Sequence, residues 1–520
     1  MSNVVLLILD GFGAGRDFYG NAILRAKTPT FDMLASRFHA GALRASGVAV
    51  GLPFNEPGNS EVGHFTIGAG RIVYQSLQRI SFAIKDGTFF TNKVLNEAIE
   101  HVNNRKSTLH LFGLVSSGSV HSYLDHVKAL LLAVERAEVA RVVLHIITDG
   151  RDALPEEGVR IMKELGNILS GNPRVEVGTI LGRTFAMDRD HDWEKTKMTY
   201  ELMTLGKGIP VPSFSEYLTN SYGHGIYDAD IPPAVLGEAG TRLAVSPHDA
   251  LLMFNFRGDS MRQIAQAFCD PAFTGFARNM IEDLYVATMV SYEDTLPCHV
   301  LFPREDLKNG IGEIVANANL TQLRVAETDK YAHVTYFLNL GQEHSFPGEE
   351  RILIPSLSMG NLIQEPGMKA ADIARELSSA IEKGTYSFIV ANFANADMLG
   401  HTGNFEATVR AIEALDSAIE VVVRSVLNSE YTLLITADHG NAEDKIDPKT
   451  GEVKTEHSLN GVPVYLVGNA YRRTADKNIR RGELTTIGFL SDIAPTLLEL
   501  LGIPKPKEMT GISLLSQLKD

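Results

Sequence analysis

The sequence predicts an α/β protein built on mostly parallel sheets and divided into at least two domains. Apolar, β-branched runs of strand length alternate with helical periodicity along the whole chain, which is typical of α/β layering. Several of these runs end directly in polar, chemically capable residues. Parallel strands deliver such residues to the carboxyl edge of a sheet, where open α/β sheets bind their ligands. At 520 residues, the chain is too long for one ordinary core.

Ten runs are predicted as strands, and three segments as helices. The helices are expected around residues 161–169 and 412–422, from their apolar spacing, and from Asp492 to Leu501, where Gly502 would close the helix. The predicted strands are Val4–Leu9, Leu109–Val115, Val142–Thr148, Val175–Leu181, Leu251–Phe256, Leu284–Val290, His333–Asn339, Ser387–Asn392, Thr432–Thr436 and Val462–Val467.

Composition excludes several classes of protein. A hydrophobic content of 44% and a charged content of 21% describe a soluble globular chain. The formal net charge of −15 argues against a broad surface for nucleic acid or anionic membranes, so an anionic substrate would need a local basic pocket. The two cysteines form no disulfide framework and fit a reducing compartment. Because the apolar run at Val4–Leu9 is too short for a signal sequence and no apolar run could span a bilayer, we expect a cytoplasmic protein.

The most informative motif is the string from Pro57 to His64, which presents Ser60 in a glycine-containing loop. A serine hydroxyl is a poor nucleophile until a base or a metal ion draws off its proton. A serine loop is by itself more often an ordinary turn. Ser60 becomes a candidate nucleophile because the rest of the chain supplies metal ligands and arginines.

Carboxylates and imidazoles form the first group of candidate site residues. Asp397 and His401 are four residues apart, so a helical turn would place both on one face, where they could share a cation. Asp438 and His439 directly follow a predicted strand, and His457 lies in a polar loop. Mixed oxygen and imidazole ligands without thiolates suit Mn²⁺, Zn²⁺ or Fe²⁺.

Arginines form the second group of candidate site residues. Four of them lie at strand ends or in the loops just beyond, where their planar guanidinium groups could bind phosphate or carboxylate in a bidentate manner: Arg151, Arg183, Arg189 and Arg257. His121 and Asp152 could add acid–base capacity there.

Together these residues resemble the cofactor-independent (2,3-bisphosphoglycerate-independent) phosphoglycerate mutases of the alkaline phosphatase superfamily. The similarity spans essentially the whole chain in the family's order. The strings that carry it run from Ile8 to Gly13, Pro57 to His64, Ile67 to Arg71, His145 to Asp152, Glu327 to Thr335, Asn395 to Gly403 and Thr436 to Asn441, with His457.

The resemblance implies an alkaline-phosphatase-like domain with a second α/β domain inserted into it. The phosphatase-like, metal-binding domain would comprise residues 1–76 and 311–520, and the inserted phosphotransferase domain residues 77–310. It also implies two Mn²⁺ ions, replaceable by Co²⁺ or another divalent metal. One ion would be bound by Asp397, His401 and His457, and the other by Asp10, Ser60, Asp438 and His439. Substrate would be held by His121, Arg151, Asp152, Arg183, Arg189, Arg257 and Lys330.

One string departs from the family's pattern. Where the family commonly has two arginines in an Arg-Pro-Asp-Arg string, this chain has Arg257-Gly258-Asp259-Ser260. The second arginine is missing, and Arg262 is a candidate replacement.

The implied reaction interconverts 3-phosphoglycerate and 2-phosphoglycerate in glycolysis and gluconeogenesis. Ser60 would carry the phosphoryl group as phosphoserine, Asp152 would shuttle protons to and from glycerate, and Lys330 would help to neutralise charge. Closure that excludes water is expected, because loss of glycerate would end in hydrolysis. The resemblance also implies a monomer with a small-molecule substrate. The alternatives are a metal-dependent phosphatase or another phosphomutase of the superfamily, or a catalytically inactive metal-binding protein.

Overall fold

The computed structural model describes residues 3–237, 243–473 and 484–518. The chain forms two compact units, the first made of Met1–Tyr74 and Asp306–Asp520 and the second of Gln75–Glu305. Each unit has its own hydrophobic core around its own eight-stranded sheet. The domain borders expected from the sequence, at 76/77 and 310/311, lie within a few residues of the borders between these units.

Strands and helices are numbered along the whole chain. The strands of the first unit are β1 (Val4–Leu9), β2 (His39–Arg44), β11 (Gln322–Glu327), β12 (Glu349–Ile354), β13 (Phe388–Phe393), β14 (Thr432–Thr436), β15 (Val462–Val467) and β16 (Thr486–Phe489). Its helices are α1 (Ala22–Arg25), α2 (Pro29–Arg37), α3 (Ser60–Ala69), α12 (Ile311–Asn317), α13 (Ala370–Lys383), α14 (Asn395–Gly400), α15 (Phe405–Leu427) and α16 (Ile493–Leu501).

The sheet of the first unit has the strand order β12-β11-β13-β1-β14-β15-β2-β16. The first five strands of that order are parallel, and only β15 runs against both of its neighbours. All six residues of β1 are fully buried, as expected for a central strand covered on both faces. The carboxyl ends of β11, β13, β1 and β14 therefore lie side by side at one edge.

Two glycines let the backbone approach closely at this edge. Gly11 follows β1 with a φ of +71°, and a Cβ atom there would lie 2.7 Å from the Asp397 Cα. Gly63 in α3 packs against Asp438, where an added Cβ would lie 2.5 Å from the carbonyl oxygen. These contacts bring the chain after β1 and the start of α3 against the ends of the neighbouring strands.

The second unit is a separate α/β layer structure. Its strands are β3 (Leu109–Leu114), β4 (Val142–Thr148), β5 (Val175–Gly182), β6 (Ile209–Val211), β7 (Ala234–Leu236), β8 (Ala250–Met253), β9 (Tyr285–Val290) and β10 (His299–Phe302). Its helices are α4 (Ser76–Asp86), α5 (Lys93–Arg105), α6 (Leu124–Arg136), α7 (Gly158–Leu169), α8 (Arg183–Ala186), α9 (Trp193–Leu205), α10 (Phe214–Gly223) and α11 (Arg262–Cys269).

The sheet of the second unit has the order β10-β9-β8-β3-β4-β5-β7-β6. The six strands from β10 to β5 are parallel, whereas β7 runs antiparallel to β5. The carboxyl ends of β8, β3, β4 and β5 are neighbours, so the loops that follow these strands share one edge.

Nine of the ten predicted strands are confirmed to within a few residues. The three predicted helices are confirmed too, with Gly502 closing α16 at a φ of +72°, but the one around 412–422 is longer than expected and spans Phe405–Leu427. The prediction for His333–Asn339 is wrong, because His333–Phe337 forms a helical turn. Val334 and Leu338 are fully buried four residues apart, and His333 stacks on Phe337, so the aromatic and β-branched run has a helical core face. Among the described residues, no helix combines the length and apolarity needed to cross a membrane.

Candidate active site

Four adjacent strand ends bring polar side chains together in the first unit. Asp10 follows β1, Asp438 and His439 follow β14, and α14 carries Asp397 just after β13. Lys330 lies in a short helical turn after β11. Asp10, Asp438 and His439 are fully buried, and Asp397 and Lys330 nearly so. The four strand ends therefore form a single polar cluster on the carboxyl edge of the sheet.

Ser60 is the first residue of α3 and lies within this cluster. Asn59 caps the helix by accepting a hydrogen bond from the Val62 N–H at 2.9 Å. The Ser60 Oγ lies 3.0 Å from Asp10 Oδ1, 3.1 Å from His439 Nε2 and 2.7 Å from Lys330 Nζ. An anion formed at Ser60 would also face the positive end of the α3 dipole.

Asp397, His401 and His457 form a compact set of three ligand atoms. His401 Nδ1 donates to the Thr455 carbonyl at 2.8 Å, and His457 Nδ1 donates to the Gly58 carbonyl at 2.7 Å. Because a carbonyl only accepts, both Nδ1 atoms carry protons, and the neutral form of each ring presents a bare Nε2. The two Nε2 atoms lie 3.0 Å apart, and each lies 3.2 Å from Asp397 Oδ1. Three acceptors aimed at one point repel one another unless a cation lies between them.

A second set of ligand atoms lies deeper in the cluster. His439 Nε2 lies 3.4 Å from Asp10 Oδ1 and 3.6 Å from Asp438 Oδ2. The fully buried Asp438 Oδ2 accepts no hydrogen bond. Burial disfavours a charged His439, but Asp438, Asp10 and Asp397 outweigh burial and raise its pKa to about 10. The carboxylates thus create a strongly negative potential that a metal ion would satisfy in place of a proton.

Lys330 carries the positive charge closest to both sets. Its ammonium group donates to Asp10 Oδ1 at 2.7 Å and to Asp397 Oδ2 at 2.8 Å, besides Ser60. Burial disfavours its charged form, but the two carboxylates outweigh burial and raise the pKa of Lys330. Even with Lys330 and His439 both protonated, two positive charges face the three buried carboxylates of Asp10, Asp397 and Asp438, so the cluster keeps a net negative charge that fits divalent metal.

All seven predicted ligand residues meet in this cluster, but their grouping differs in part from the expected one. Among the residues that the structure describes, three groups of ligand atoms each lie within 4.8 Å of one another: Asp397, His401 and His457; Asp10, Asp397 and His439; and Asp10, His64 and Asp438. The first is the trio expected from the sequence. In the other two groups, Asp397 and His64 lie beside Asp10, Asp438 and His439, the residues expected to bind the second ion together with Ser60.

His64 and Glu443 were not singled out from the sequence. His64 Nδ1 donates to the Ser60 carbonyl at 2.8 Å, and its Nε2 accepts from Asn392, which also donates to Asp10 Oδ2. The position of His64 four residues after Ser60, on the same helix face, was a usable signal. Glu443 is buried and accepts from the N–H groups of Gly13 and Asn441, from Asn460 and from the Ser458 hydroxyl. Nothing in the sequence around Glu443 indicated which groups donate hydrogen bonds to its carboxylate.

The polar residues of the second unit form a separate cluster around Arg183. Its Nη1 donates to Asp149 Oδ1 at 2.5 Å and to Asp152 Oδ2 at 2.6 Å, and its Nη2 donates to His121 Nε2 at 2.9 Å. The Arg183 side chain is only 10% exposed. Asp149, which the sequence analysis did not single out, also accepts from the N–H groups of Arg151 and Asp152 and so shapes their loop.

The hydrogen bond from Arg183 fixes the tautomer of His121. A guanidinium group never accepts, so Nε2 is bare and Nδ1 carries the proton in the neutral ring. That Nδ1 lies 3.2 Å from the hydroxyl of Ser260, to which it donates. Burial, reinforced by the charge of Arg183, lowers the pKa of His121 to about 4. At neutral pH, His121 is therefore an uncharged link between Arg183 and Ser260.

The other three predicted arginines line the same cleft, which has a volume of about 330 Å³. Arg257 forms a bidentate pair with Asp259 at 3.1 and 3.0 Å, and Arg189 lies 3.2 Å from the same carboxylate. Arg151 makes only a long contact of 3.5 Å to the Thr184 hydroxyl. Much of the hydrogen-bonding capacity of these guanidinium groups therefore faces the cleft.

Arg262 does not take the place of the missing arginine in this structure. It is absent from the residues that line the cleft, and its Nε lies 3.8 Å from Glu293 Oε2. Ser260 itself lines the cleft through its contact with His121. The cleft is thus built with a buried hydroxyl, that of Ser260, at the position where the resemblance led us to expect a second arginine.

The fold and the buried ligand cluster define a metalloenzyme, and a family model described as the metalloenzyme superfamily matches residues 2–505. Among curated relatives named 2,3-bisphosphoglycerate-independent phosphoglycerate mutase, one from Cyanothece sp. is 45% identical over 100% of this chain and 96% of its own length. Another, from Methanosarcina acetivorans, is 44% identical over 98% of each chain. This chain belongs to the family of 2,3-bisphosphoglycerate-independent phosphoglycerate mutases, and it is an enzyme that binds divalent metal.

One solved structure agrees with this assignment. The structure of a phosphoglycerate mutase from Leishmania mexicana at low cobalt concentration matches this chain with a TM-score of 0.57 at 29% identity. The match covers 98% of this chain and 97% of that one. The likeness therefore extends over both units.

Proposed function

We propose that this chain interconverts 3-phosphoglycerate and 2-phosphoglycerate in glycolysis and gluconeogenesis, without 2,3-bisphosphoglycerate, through a phosphoserine at Ser60. The observation that carries this proposal is the position of the Ser60 Oγ, 2.7 Å from the Lys330 ammonium and 3.1 Å from His439 Nε2, at the start of a helix. Names of relatives identical at 43–45% over nearly the whole chain support the substrate pair.

We assign the metal-binding and phosphoryl-transfer steps to the first unit. Asp397, His401 and His457 would hold one cation, and Asp10, Ser60, Asp438 and His439 a second, each of which we propose to be Mn²⁺, replaceable by Co²⁺. Bound cations would lower the pKa of the Ser60 hydroxyl and neutralise charge on the transferred group. The mixture of carboxylate and imidazole donors, with no thiolate, supports this choice of metal.

The protein's own groups prepare Ser60 for attack. The Lys330 ammonium donates to the Oγ, which stabilises the developing alkoxide and afterwards the phosphoryl oxygens. Asn392 and His64 fix Asp10, and Asn441 donates to Asp397 Oδ1 at 2.8 Å, so the surrounding carboxylates need little reorganisation. The bond from Ser60 to phosphorus forms as the ester bond breaks, and free glycerate results.

We assign retention of glycerate to the second unit. Arg151, Arg189 and Arg257 would bind the glycerate carboxylate, and Arg183 would hold His121 and Asp152 in place. Asp152 would give a proton to the glycerate oxygen as it leaves phosphorus, which makes it a hydroxyl, and as the resulting carboxylate would take a proton from the glycerate hydroxyl that attacks next. The ion pair from Arg183 keeps Asp152 in a fixed position between these two transfers.

A coupled assay tests the proposal. Enolase converts 2-phosphoglycerate as it forms, so turnover is followed with and without Mn²⁺ and with no 2,3-bisphosphoglycerate present. We expect Mn²⁺-dependent turnover and a mass increase of one phosphoryl group on the intact protein when the reaction is quenched. The proposal fails if 3-phosphoglycerate yields only inorganic phosphate and glycerate, because that result describes a phosphatase.

We further propose that the protein acts as a cytoplasmic monomer on this small-molecule substrate, with no nucleic-acid or membrane partner. The net charge of −15 and the local confinement of the arginines support it. Sedimentation at micromolar concentration checks the oligomeric state.

A further inference from the structure

A second buried lysine lies behind the metal-ligand trio of Asp397, His401 and His457. Lys445 follows β14 by nine residues, and its side chain is 2% exposed. Its ammonium group donates to the Gly400 carbonyl at 3.2 Å, to the Glu456 carbonyl at 3.2 Å and to Asn441 Oδ1. An ammonium group has three N–H donors, so all three are used.

Two of the three acceptors of Lys445 adjoin a member of the trio in sequence, and the third is hydrogen-bonded to the remaining member. Gly400 directly precedes His401, and Glu456 directly precedes His457. Asn441 links Lys445 to the third member of the trio, because the Asn441 side-chain amide donates to Asp397 Oδ1 at 2.8 Å. One ammonium group thus joins Gly400, Asn441 and Glu456, which are 41 and 15 residues apart along the chain.

Simple stabilisation of the core is a weaker explanation for a lysine here. Burial disfavours its charge and lowers the pKa of Lys445 to about 8, with Glu443 acting in the opposite direction. Apolar residues of similar volume often replace buried charges without loss of stability. A direct electrostatic benefit to metal binding is also excluded, because a positive charge near the site repels a cation.

We propose that Lys445 is a positioning residue that sets the geometry of the Asp397, His401 and His457 metal centre through the carbonyls of Gly400 and Glu456 and the amide of Asn441. This inference rests on the proposed assignment of that trio to one of two metal centres. Lys445 makes no contact with the ligand atoms of Asp10, Asp438 or His439 among its hydrogen bonds, so its removal acts on one centre.

The charge and the geometry of Lys445 predict opposite effects of its removal. Lys445→Met removes the charge and the donors at nearly constant volume. If repulsion dominated, the variant would bind metal more tightly than wild type. If positioning dominates, we expect the affinity for one of two Mn²⁺ ions to fall by about 10- to 100-fold, as when other outer-shell partners of ligands are lost.

The experiment measures metal binding directly. Metal-free wild type, Lys445→Met and Lys445→Gln are titrated with Mn²⁺ by calorimetry, and bound metal is counted by elemental analysis after gel filtration. Visible absorption of the Co²⁺-loaded proteins reports the ligand geometry. Lys445→Gln retains two N–H donors and should keep more affinity than Lys445→Met. Lys454→Met is the matched control, since Lys454 lies in the same hairpin and, within the part of the chain that the structure describes, forms its ion pairs with Asp444 and Asp447.

Unchanged or tighter Mn²⁺ binding in Lys445→Met, with a wild-type Co²⁺ spectrum, would overturn the proposal. If Lys445→Met does not fold, Lys445→Gln decides by the same criterion, because it too must bind one Mn²⁺ more weakly than wild type. Metal counts do not depend on turnover. A wild type without mutase activity would therefore refute the proposed reaction and leave the role of Lys445 to be judged from the same titrations.

Discussion

Replacing Arg257 by alanine separates isomerisation from the first phosphoryl transfer. In the free cleft, Arg257 is paired with Asp259, and the two side chains are 48% and 36% exposed. An exposed ion pair contributes only about 0.2–1 kcal/mol to stability, so Arg257→Ala should unfold at nearly the wild-type temperature. A hydrogen bond from the same guanidinium to a substrate carboxylate is worth about 1.5–3 kcal/mol. We therefore expect mutase turnover to fall by about 10- to 150-fold.

The assay measures both products at equal 3-phosphoglycerate concentration. Enolase coupling reports 2-phosphoglycerate, a phosphate assay reports hydrolysis, and intact mass reports phosphoserine on Ser60. Because glycerate is held less firmly, the ratio of inorganic phosphate to 2-phosphoglycerate should rise while Ser60 is still phosphorylated. Arg262→Ala is the matched control, since Arg262 lies outside the cleft lining and faces Glu293.

An unchanged product ratio together with unchanged turnover in Arg257→Ala would refute this reasoning. Arg257 would then be a surface arginine held by Asp259. A loss in Arg262→Ala equal to that in Arg257→Ala would refute the assignment of the cleft lining.

Three further predictions concern the nucleophile, the metal and acid stability. Ser60→Ala should abolish turnover and show no phosphorylated mass, while circular dichroism stays that of wild type; more than a trace of turnover would exclude Ser60 as the phosphoryl carrier. Chelation should abolish activity, and Mn²⁺ or Co²⁺ should restore it better than Ca²⁺, because three imidazole ligands suit a hard oxygen-preferring ion poorly; full activity of protein that is metal-free by elemental analysis would contradict this. Burial lowers the pKa of His126 to about 4, so folding favours its neutral form and its contribution to stability is complete above its usual pKa of 6.5. The free energy of unfolding should therefore fall as the pH drops from about 6.5 to about 4, and less steeply in His126→Phe; equal slopes in chemical denaturation would refute the assignment.

The sequence predicted the central parallel strands well because they are buried on both faces. β1 is a continuous apolar run of six buried residues, and β14 has three apolar residues between two buried threonines. Strands such as β2 and β16 were not predicted, since their short, mixed sequences make sense only once neighbours are known. The same limit explains the error at His333–Asn339, where a helical and an extended backbone would both bury apolar side chains.

The residues of the candidate site were likewise predictable only in part. Asp10, Asp397, His401 and the Asp438–His439 pair were predictable because strand ends and helical spacing bring them together. Glu443 and Lys445 were not, because their roles depend on partners such as Gly13 and Gly400 that are remote in sequence. Glu443 reaches back 430 residues to the Gly13 N–H, and no local pattern records that distance.

The pairing of β1 with β13 and β14 has a consequence for synthesis of the chain. Val4 lies opposite Phe388 and Thr432, so β1 leaves the ribosome more than 380 residues before either neighbour exists. At a translation rate of about 5–20 residues per second, this wait lasts roughly 20–80 s. During this interval the wholly apolar strand β1 has no native partner. The second unit has no such delay, because the continuous segment from Gln75 to Glu305 holds all eight strands of its own sheet. The nascent first unit therefore needs protection from aggregation. The second unit, from the middle of the chain, completes its sheet first, and the first unit completes its own only after its C-terminal strands are made.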